Sequence, residues 1–460
     1  MRPAKAGHPH ALTRFARRPS AFAKAPADRR SLGGGWSALP RRADSVAARP
    51  GERKRLHAWS VFAILLLVAW VDAAQWPQWR GPNRDGVAKA AVASWPEKLA
   101  RRWTQSVGEG YSSPVIDGGR VFVHSREDPE EIVSAFELDS GEQVWTMRYA
   151  APFAKNQYAT QMAKGPFSTP LVADGRVYTL GVTAVLSAFD AATGALKWRK
   201  DFSKEIDTSK LFTGTAMSPI LTRGLLIVHV GDDSEGAVRA YNPSTGDETW
   251  TLSGHGPGYA SPVLLNVAGT SQIATMTDKA AVGIETATGK LLWSIPFPDE
   301  WNENIVTPTV AGDVLIISGT RKGTFGYRIE NKGTEWTPRQ LWHNAELPMY
   351  MSSPVADGSF LYGFSNRRKG QLFCLDARTG ATKWTTEGRA GQNASITAVG
   401  PNLLVLTTDG DLLIVRRSPD RFEEVRRYKI ADSSVWAHLA LAPDAVIVRD
   451  AKSVAAWAIP

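Results

Sequence analysis

The stretch Ala188-Phe189-Asp190-Ala191-Ala192-Thr193-Gly194-Ala195-Leu196-Lys197-Trp198 decides the fold, because its skeleton returns along the chain. In it a small residue precedes a glycine by six positions, and the glycine precedes a tryptophan by four. The same spacing stands at Ala135, Gly141 and Trp145; at Ala240, Gly246 and Trp250; at Gly283, Gly289 and Trp293; and at Cys374, Gly380 and Trp384. Five copies with both spacings fixed mark an internal repeat, which governs the architecture before any local propensity does.

Upstream of these copies a Ser/Thr-Pro pair opens an apolar run, at Ser113-Pro114, Thr169-Pro170, Ser218-Pro219, Ser261-Pro262, Thr307-Pro308 and Ser353-Pro354. Proline at the start of a strand removes no ladder bond inside a sheet. A tight turn follows, as at Asp174-Gly175, and then a β-branched or aromatic run such as Arg176-Val177-Tyr178-Thr179. The Asp-x-x-Thr/Ser-Gly element is the last hairpin turn, where glycine can adopt positive φ, and the tryptophan falls on the outermost strand. Each unit is therefore four short strands. Units repeat every 42 to 53 residues from Trp103 to Trp384, the period of a propeller blade.

Strand openings near residues 112, 168, 218, 261, 307, 352, 395 and 436 predict eight blades. The last unit, 435–460, is about three strands long and lacks a tryptophan-bearing outer strand. Residues 101–107, which contain Arg101-Arg102-Trp103, offer such a strand with no blade before it. The expected fold is all-β, an eight-bladed β-propeller of four-stranded antiparallel blades, closed by the N-terminal strand so that no long sheet edge is left open. Two blades depart from the pattern. In the fifth, Gly333 and Trp342 stand nine apart with an insertion at 335–339, and the seventh ends in Arg426-Arg427-Tyr428.

With these motifs the chain resembles the pyrroloquinoline-quinone (PQQ) type propeller family over roughly residues 76–460, including its BamB-like and secreted bacterial members. The resemblance implies that Gly141, Trp145, Gly194, Trp198, Gly246, Trp250, Gly289, Trp293, Gly380 and Trp384 form a structural docking motif, each tryptophan packing on a neighbouring blade. The segment Trp76-Pro77-Gln78-Trp79-Arg80-Gly81-Pro82-Asn83-Arg84-Asp85-Gly86-Val87 resembles the Trp-rich opening of secreted members. It is read as a cap, residues 75–100, packing aromatic rings onto the propeller face.

Three functions are compatible with such a fold. The first is a scaffold like the BamB-type assembly proteins, holding protein partners at the cell envelope. The second is a PQQ-dependent alcohol or sugar dehydrogenase with Ca²⁺ on the ring axis. Quinoprotein alcohol dehydrogenases carry an adjacent Cys-Cys disulfide, and Cys374 is the sole cysteine here. The third is a small-molecule binder in the axial funnel, where Tyr111, Phe167, Tyr259, Tyr350 and Trp436 precede the inner strands and Lys164, Arg321, Arg367 and Arg368 stand in loops that could face an anion. The expectation is a non-catalytic platform for protein partners, monomeric, without catalytic residues, resident cofactor or metal; PQQ with Ca²⁺ is the cofactor the alternative would need.

Charge supports that choice. Of the formal +9, residues 1–55 carry 14 Lys+Arg against 3 Asp+Glu, whereas 75–460 hold 40 against 41 by difference. No basic patch fit for a phosphate backbone is left, so nucleic acid is not an expected partner. Residues 1–52 are read as a disordered or mis-annotated leader. Residues 53–74 read as a signal peptide: Arg53-Lys54-Arg55, then an apolar run of 14 at 58–71, with cleavage after Ala73 or Ala74. Such a run is too short to span a bilayer, so the propeller, 101–460, is expected to be periplasmic or secreted with no integral span. No cysteine stands at the cleavage site, so no lipid anchor is expected. His124 and His229 read as satisfied core histidines on non-adjacent blades, and Asp232-Asp233-Ser234-Glu235 as a solvated hairpin tip.

Overall fold

A computed structural model describes residues 75–460 apart from 90, 91, 93, 160, 161, 233 and 234. The leader and the signal-peptide segment lie outside the described residues. What is described is eight four-stranded antiparallel blades in a ring, one of them extended by a short parallel strand, almost without helix. Blade 1 comprises Val115–Asp117, Arg120–Glu127, Glu130–Glu137 and Gln143–Ala150, hydrogen-bonded in that order from the axis outward. Blades 2 to 7 repeat the arrangement, beginning at Leu171, Ile220, Val263, Thr309, Val355 and Ala394. Blade 8 has three C-terminal strands, Ala440–Ala442, Ala445–Arg449 and Ser453–Ala458, and takes its outer strand, Arg101–Ser106, from the other end of the chain. The closure expected from the orphan Trp103 is therefore the one observed.

The tryptophans bind successive blades together. Trp103 of blade 8 lies over Gly141 of blade 1, and its Nε1 donates to the Leu138 carbonyl at 2.8 Å. Trp145 repeats this on Gly194, with a bond to Ala191 O, Trp198 on Gly246, with a bond to Pro243 O, and Trp250 on Gly289, with a bond to Thr286 O. Gly141 has φ 72°, and a Cβ there would lie 2.5 Å from the Trp103 ring, so the position needs glycine for its conformation and for the close approach alike. The preceding turn is held by its first residue: Asp376 Oδ1 accepts from Arg378 N and Thr379 N, both at 3.0 Å.

Trp293 departs from the expected docking. Its Nε1 donates to Gln272 Oε1 of its own blade at 2.7 Å, because blade 5 offers no Gly turn at that height. There the insertion lengthens both outer strands to Gly323–Lys332 and Glu335–Asn344, and Ile329 and Trp336 of this hairpin pack into the core of blade 4 instead. Trp342 returns to the pattern on Gly380, bonding Ala377 O at 3.0 Å. In blade 7 Arg426 occupies the tryptophan position, and Trp384 of blade 6 bonds Ser418 O at 2.9 Å in place of a Gly turn.

The Ser/Thr-Pro openings have a purpose the proline alone does not explain. Each hydroxyl accepts the backbone N–H of the residue at the equivalent place one blade back: Ser113 from His438 (2.9 Å), Thr169 from Ser113 (3.1 Å), Ser218 from Thr169 (3.0 Å), Ser261 from Ser218 (2.9 Å), Thr307 from Ser261 (3.1 Å) and Ser353 from Thr307 (3.2 Å). Inner strands are sheet edges facing the axis, so these N–H groups would otherwise be buried without partners. Blade 7 lacks the motif, and its Ala394 N–H donates backward to Ser352 at 3.1 Å.

Candidate functional site

The cap supplies the floor of the axial site. Trp76 exchanges backbone hydrogen bonds with Ile116 at 2.8 and 2.9 Å, and Val87–Ala88 pairs in parallel with Ala394–Val399. Between these anchors Arg80 and Arg84 are buried and satisfy carbonyls that the inner strands turn toward the axis. Arg84 donates to Pro219 O at 2.7 Å, Pro262 O at 2.9 Å and Ser218 O at 3.1 Å, and Arg80 to Asp85 O at 3.1 Å and to Pro354 O. Burial lowers the Arg80 guanidinium to about 10; burial and the neighbouring Arg80 charge lower Arg84 to about 9. Both guanidiniums lie over the Trp79 ring, 5.4 and 5.7 Å from its centroid. The expected aromatic cap is thus also a cationic hub, a feature legible only as two unexplained arginines in the sequence.

Above Trp79 lies a cavity of about 150 Å³. Its wall is the hydroxyl ring of Ser113, Thr169, Ser218, Ser261, Thr307 and Ser353, and its mouth carries Tyr111, Phe167, Tyr259 and Trp436. Tyr111 stacks on Trp436 and meets Phe167 edge-on, each at 5.6 Å. The Tyr259 hydroxyl accepts from Phe212 N at 2.8 Å. His438 also lines the cavity, edge-on to Trp79 at 5.4 Å; burial first, and then the Arg80 charge, push its imidazole down to about 3. Each hydroxyl accepts one backbone N–H bond, which leaves its O–H proton and a second lone pair for a group in the cavity.

Of the other funnel candidates, Tyr350 stands off the cavity wall. Its hydroxyl donates to Glu303 at 3.1 Å while its neighbour Met351 lines the space. Arg321 grips Asp299 through two bonds of 3.0 and 2.9 Å, Lys164 pairs with Asp128, and Arg367 stands 3.7 Å from Glu346. These three cations are rim residues engaged with carboxylates. Cys374 is buried, and burial pushes its thiol up to about 12. Asp232 caps its own hairpin by accepting from Glu235 N at 3.0 Å.

Both histidines singled out by position are buried and bonded. His229 meets the His255 carbonyl at 2.9 Å, and burial lowers it to about 4. His124 lies 3.1 Å from the Tyr149 hydroxyl and 3.3 Å from Glu131, a fully buried carboxylate that sequence reading missed. Burial pushes Glu131 up, but bonds from His124, Tyr149 and Val182 N outweigh it and hold the group below its ordinary value. Among the described residues no group of three His, Cys, Asp or Glu is placed to hold a metal ion.

The sequence model of the PQQ-repeat family described as outer membrane protein assembly factor BamB matches residues 129–386, more than half of the chain. The chain belongs to the PQQ-repeat propeller family. A curated relative, the outer membrane protein assembly factor BamB of Moranella endobia, is 22% identical over 66% of this chain and 75% of its own length. Among solved structures, BamB from Moraxella catarrhalis superposes with TM-score 0.55 at 16% identity, covering 78% of this chain and all of that one. Quinohemoprotein alcohol dehydrogenase from Comamonas testosteroni gives 0.62 at 14% identity over 84% and 81%. At such identities the structures establish the shared fold alone.

A PQQ-repeat propeller that carries the quinone with calcium needs oxygen ligands for the ion, carboxylates foremost, and cations for the quinone's own carboxylates. The residues lining this axial cavity include no Asp, Glu, Lys or Arg. The pair does not fit the donor set present, and no chemical step is derived through it.

Proposed function

We propose that this BamB-like propeller is an exported, non-catalytic platform that binds protein partners at the cell envelope. The observation that carries the reading is the axial site itself: a neutral, hydroxyl-walled cavity floored by a cap that is fastened into six blades. Such a centre rigidifies the ring and leaves recognition to the loops, the usual place for function on a rigid scaffold. The likeness to proteins named for outer membrane assembly supports partners of that kind. Among the described residues no helix is long and apolar enough to cross a membrane.

The experiment is cross-linking in native envelopes followed by isolation of the propeller. The expected result is a discrete protein partner in stoichiometric yield, and recovery of the propeller alone contradicts the reading. A second reading, a small neutral ligand in the axial cavity, is favoured by the Trp79, Tyr111 and Trp436 rings beside six serine and threonine hydroxyls.

A further inference from the structure

Two loops of blade 6, residues 366–370 and 387–391, stand on the same face of the ring as the loops at the cavity mouth. They enclose a groove of about 420 Å³ lined by Arg368, Lys369, Glu387, Gly388 and Arg389. The loops are locked together: Arg389 N donates to Arg368 O at 3.0 Å and Ala390 N to Gly370 O at 3.1 Å. Gly388 admits this approach, since a Cβ there would fall 2.6 Å from the Arg368 carbonyl.

All three cations of the groove sit in left-handed backbone, with φ 53° at Arg368, 62° at Lys369 and 62° at Arg389. Glycine would occupy these positions without strain. The chain instead holds long exposed cations there, and strain tolerated in a rigid, solvent-facing groove points to a use for the charges. Among the described residues none of the three forms an ion pair, whereas Arg321 and Arg367 nearby are engaged by Asp299 and Glu346.

We infer that this groove docks an acidic segment of a protein partner, an inference that rests on the platform reading. Charge complementarity selects that occupant. The chain's own residues 1–55 carry 14 basic against 3 acidic residues and would be repelled. A membrane surface fits poorly, because Glu387 stands among the three cations and residues 75–460 are near neutral by charge count. An extended acidic strand can enter the groove, meet Arg368 and Arg389 as forked donors, and leave Glu387 at one side.

The test uses the triple variant Arg368→Gly/Lys369→Gly/Arg389→Gly, in which glycine suits each backbone conformation, with melting temperature as the check on folding. A fluorescein-labelled decapeptide of Asp and Glu is titrated against wild type and variant at low and high salt. The expected result is salt-sensitive binding to wild type that weakens at least tenfold in the variant. Equal affinity for both proteins overturns the inference, as does groove-dependent binding to phosphatidylglycerol vesicles in place of the peptide, or dimerisation that the variant abolishes. If peptide binding is unaffected while cross-linking still recovers a protein partner, the groove assignment fails and the platform stands; if no partner is recovered in the envelope, it is the platform reading that fails.

Discussion

The backbone N–H of His438 donates to Ser113 Oγ at 2.9 Å across 325 positions of sequence, joining the last blade to the first. Two further links cross the same seam. Arg449 of blade 8 donates to the carbonyls of Ser112 at 3.0 Å and His124 at 2.5 Å, and Trp103 docks on Gly141. The junction that covalent continuity does not supply is thus built with the devices used between consecutive blades.

Trp103→Ala removes a buried ring, its Gly141 contact and its bond to Leu138 O. The expected loss is roughly 3–5 kcal/mol of stability, read as a fall in melting temperature in one cooperative transition. Deleting residues 75–107 should prevent the ring from forming a comparably stable body. A deletion that melts with wild type means that the ring does not depend on this strand.

Gly380 and Gly358 of blade 6 share positive φ, 71° and 56°, but only Gly380 lies beneath a tryptophan, with a Cβ position 2.5 Å from the Trp342 ring. Gly358→Ala should cost about 1–2 kcal/mol from backbone strain alone, and Gly380→Ala clearly more. Equal losses in calorimetry would show that the Trp342 contact yields without cost.

Arg84→Ala strips hydrogen bonds from three inner-strand carbonyls, for which roughly 2–4 kcal/mol is expected after relief of the buried charge. Arg84→Lys should rescue little, since one ammonium cannot reproduce the guanidinium fork. Full rescue by lysine would mean that charge rather than geometry holds the cap.

Acidification should destabilise the propeller well above the carboxylate range. His229 and His438 are held neutral in the fold, at about 4 and about 3, while the unfolded chain protonates them near 6.5. The unfolded state therefore binds protons that the native state refuses, and stability falls as pH drops below 6.5, by about 2 kcal/mol per histidine at pH 5. Melting temperatures between pH 7.5 and 5 should show this slope, reduced by about half in His438→Gln, whose backbone N–H still reaches Ser113. An unchanged slope in the variant excludes His438 from the effect.

Much of this fold is legible in the sequence because propeller repeats record their contacts locally. The six-and-four spacing of Ala188, Gly194 and Trp198 reports a hairpin turn and the ring that docks on it, and the surplus Trp103 reports the closure. The departures are legible only in part: the blade 5 insertion can be seen, but not that Trp293 turns to Gln272 in consequence. Function is less visible because it depends on which side chains reach the axis together. Tyr111, Phe167, Tyr259 and Trp436 converge on one cavity, yet Tyr350 at a similar sequence position turns to Glu303. The serine and threonine hydroxyls stand in plain view before each proline, six times over. Their meaning needs the neighbouring blade, since every hydrogen bond they accept comes from a residue at least 43 positions away.

The most direct measurement of whether this propeller is a platform or an enzyme is a thermal-shift titration of the purified protein with PQQ and Ca²⁺, followed by dye reduction with alcohols and aldoses. A ligand specific for the native state adds about 2.7 kcal/mol of stability at a hundredfold excess over its dissociation constant. A platform whose axial cavity lacks charged ligands predicts no saturable shift and no substrate-dependent dye reduction; a saturable shift with turnover contradicts it.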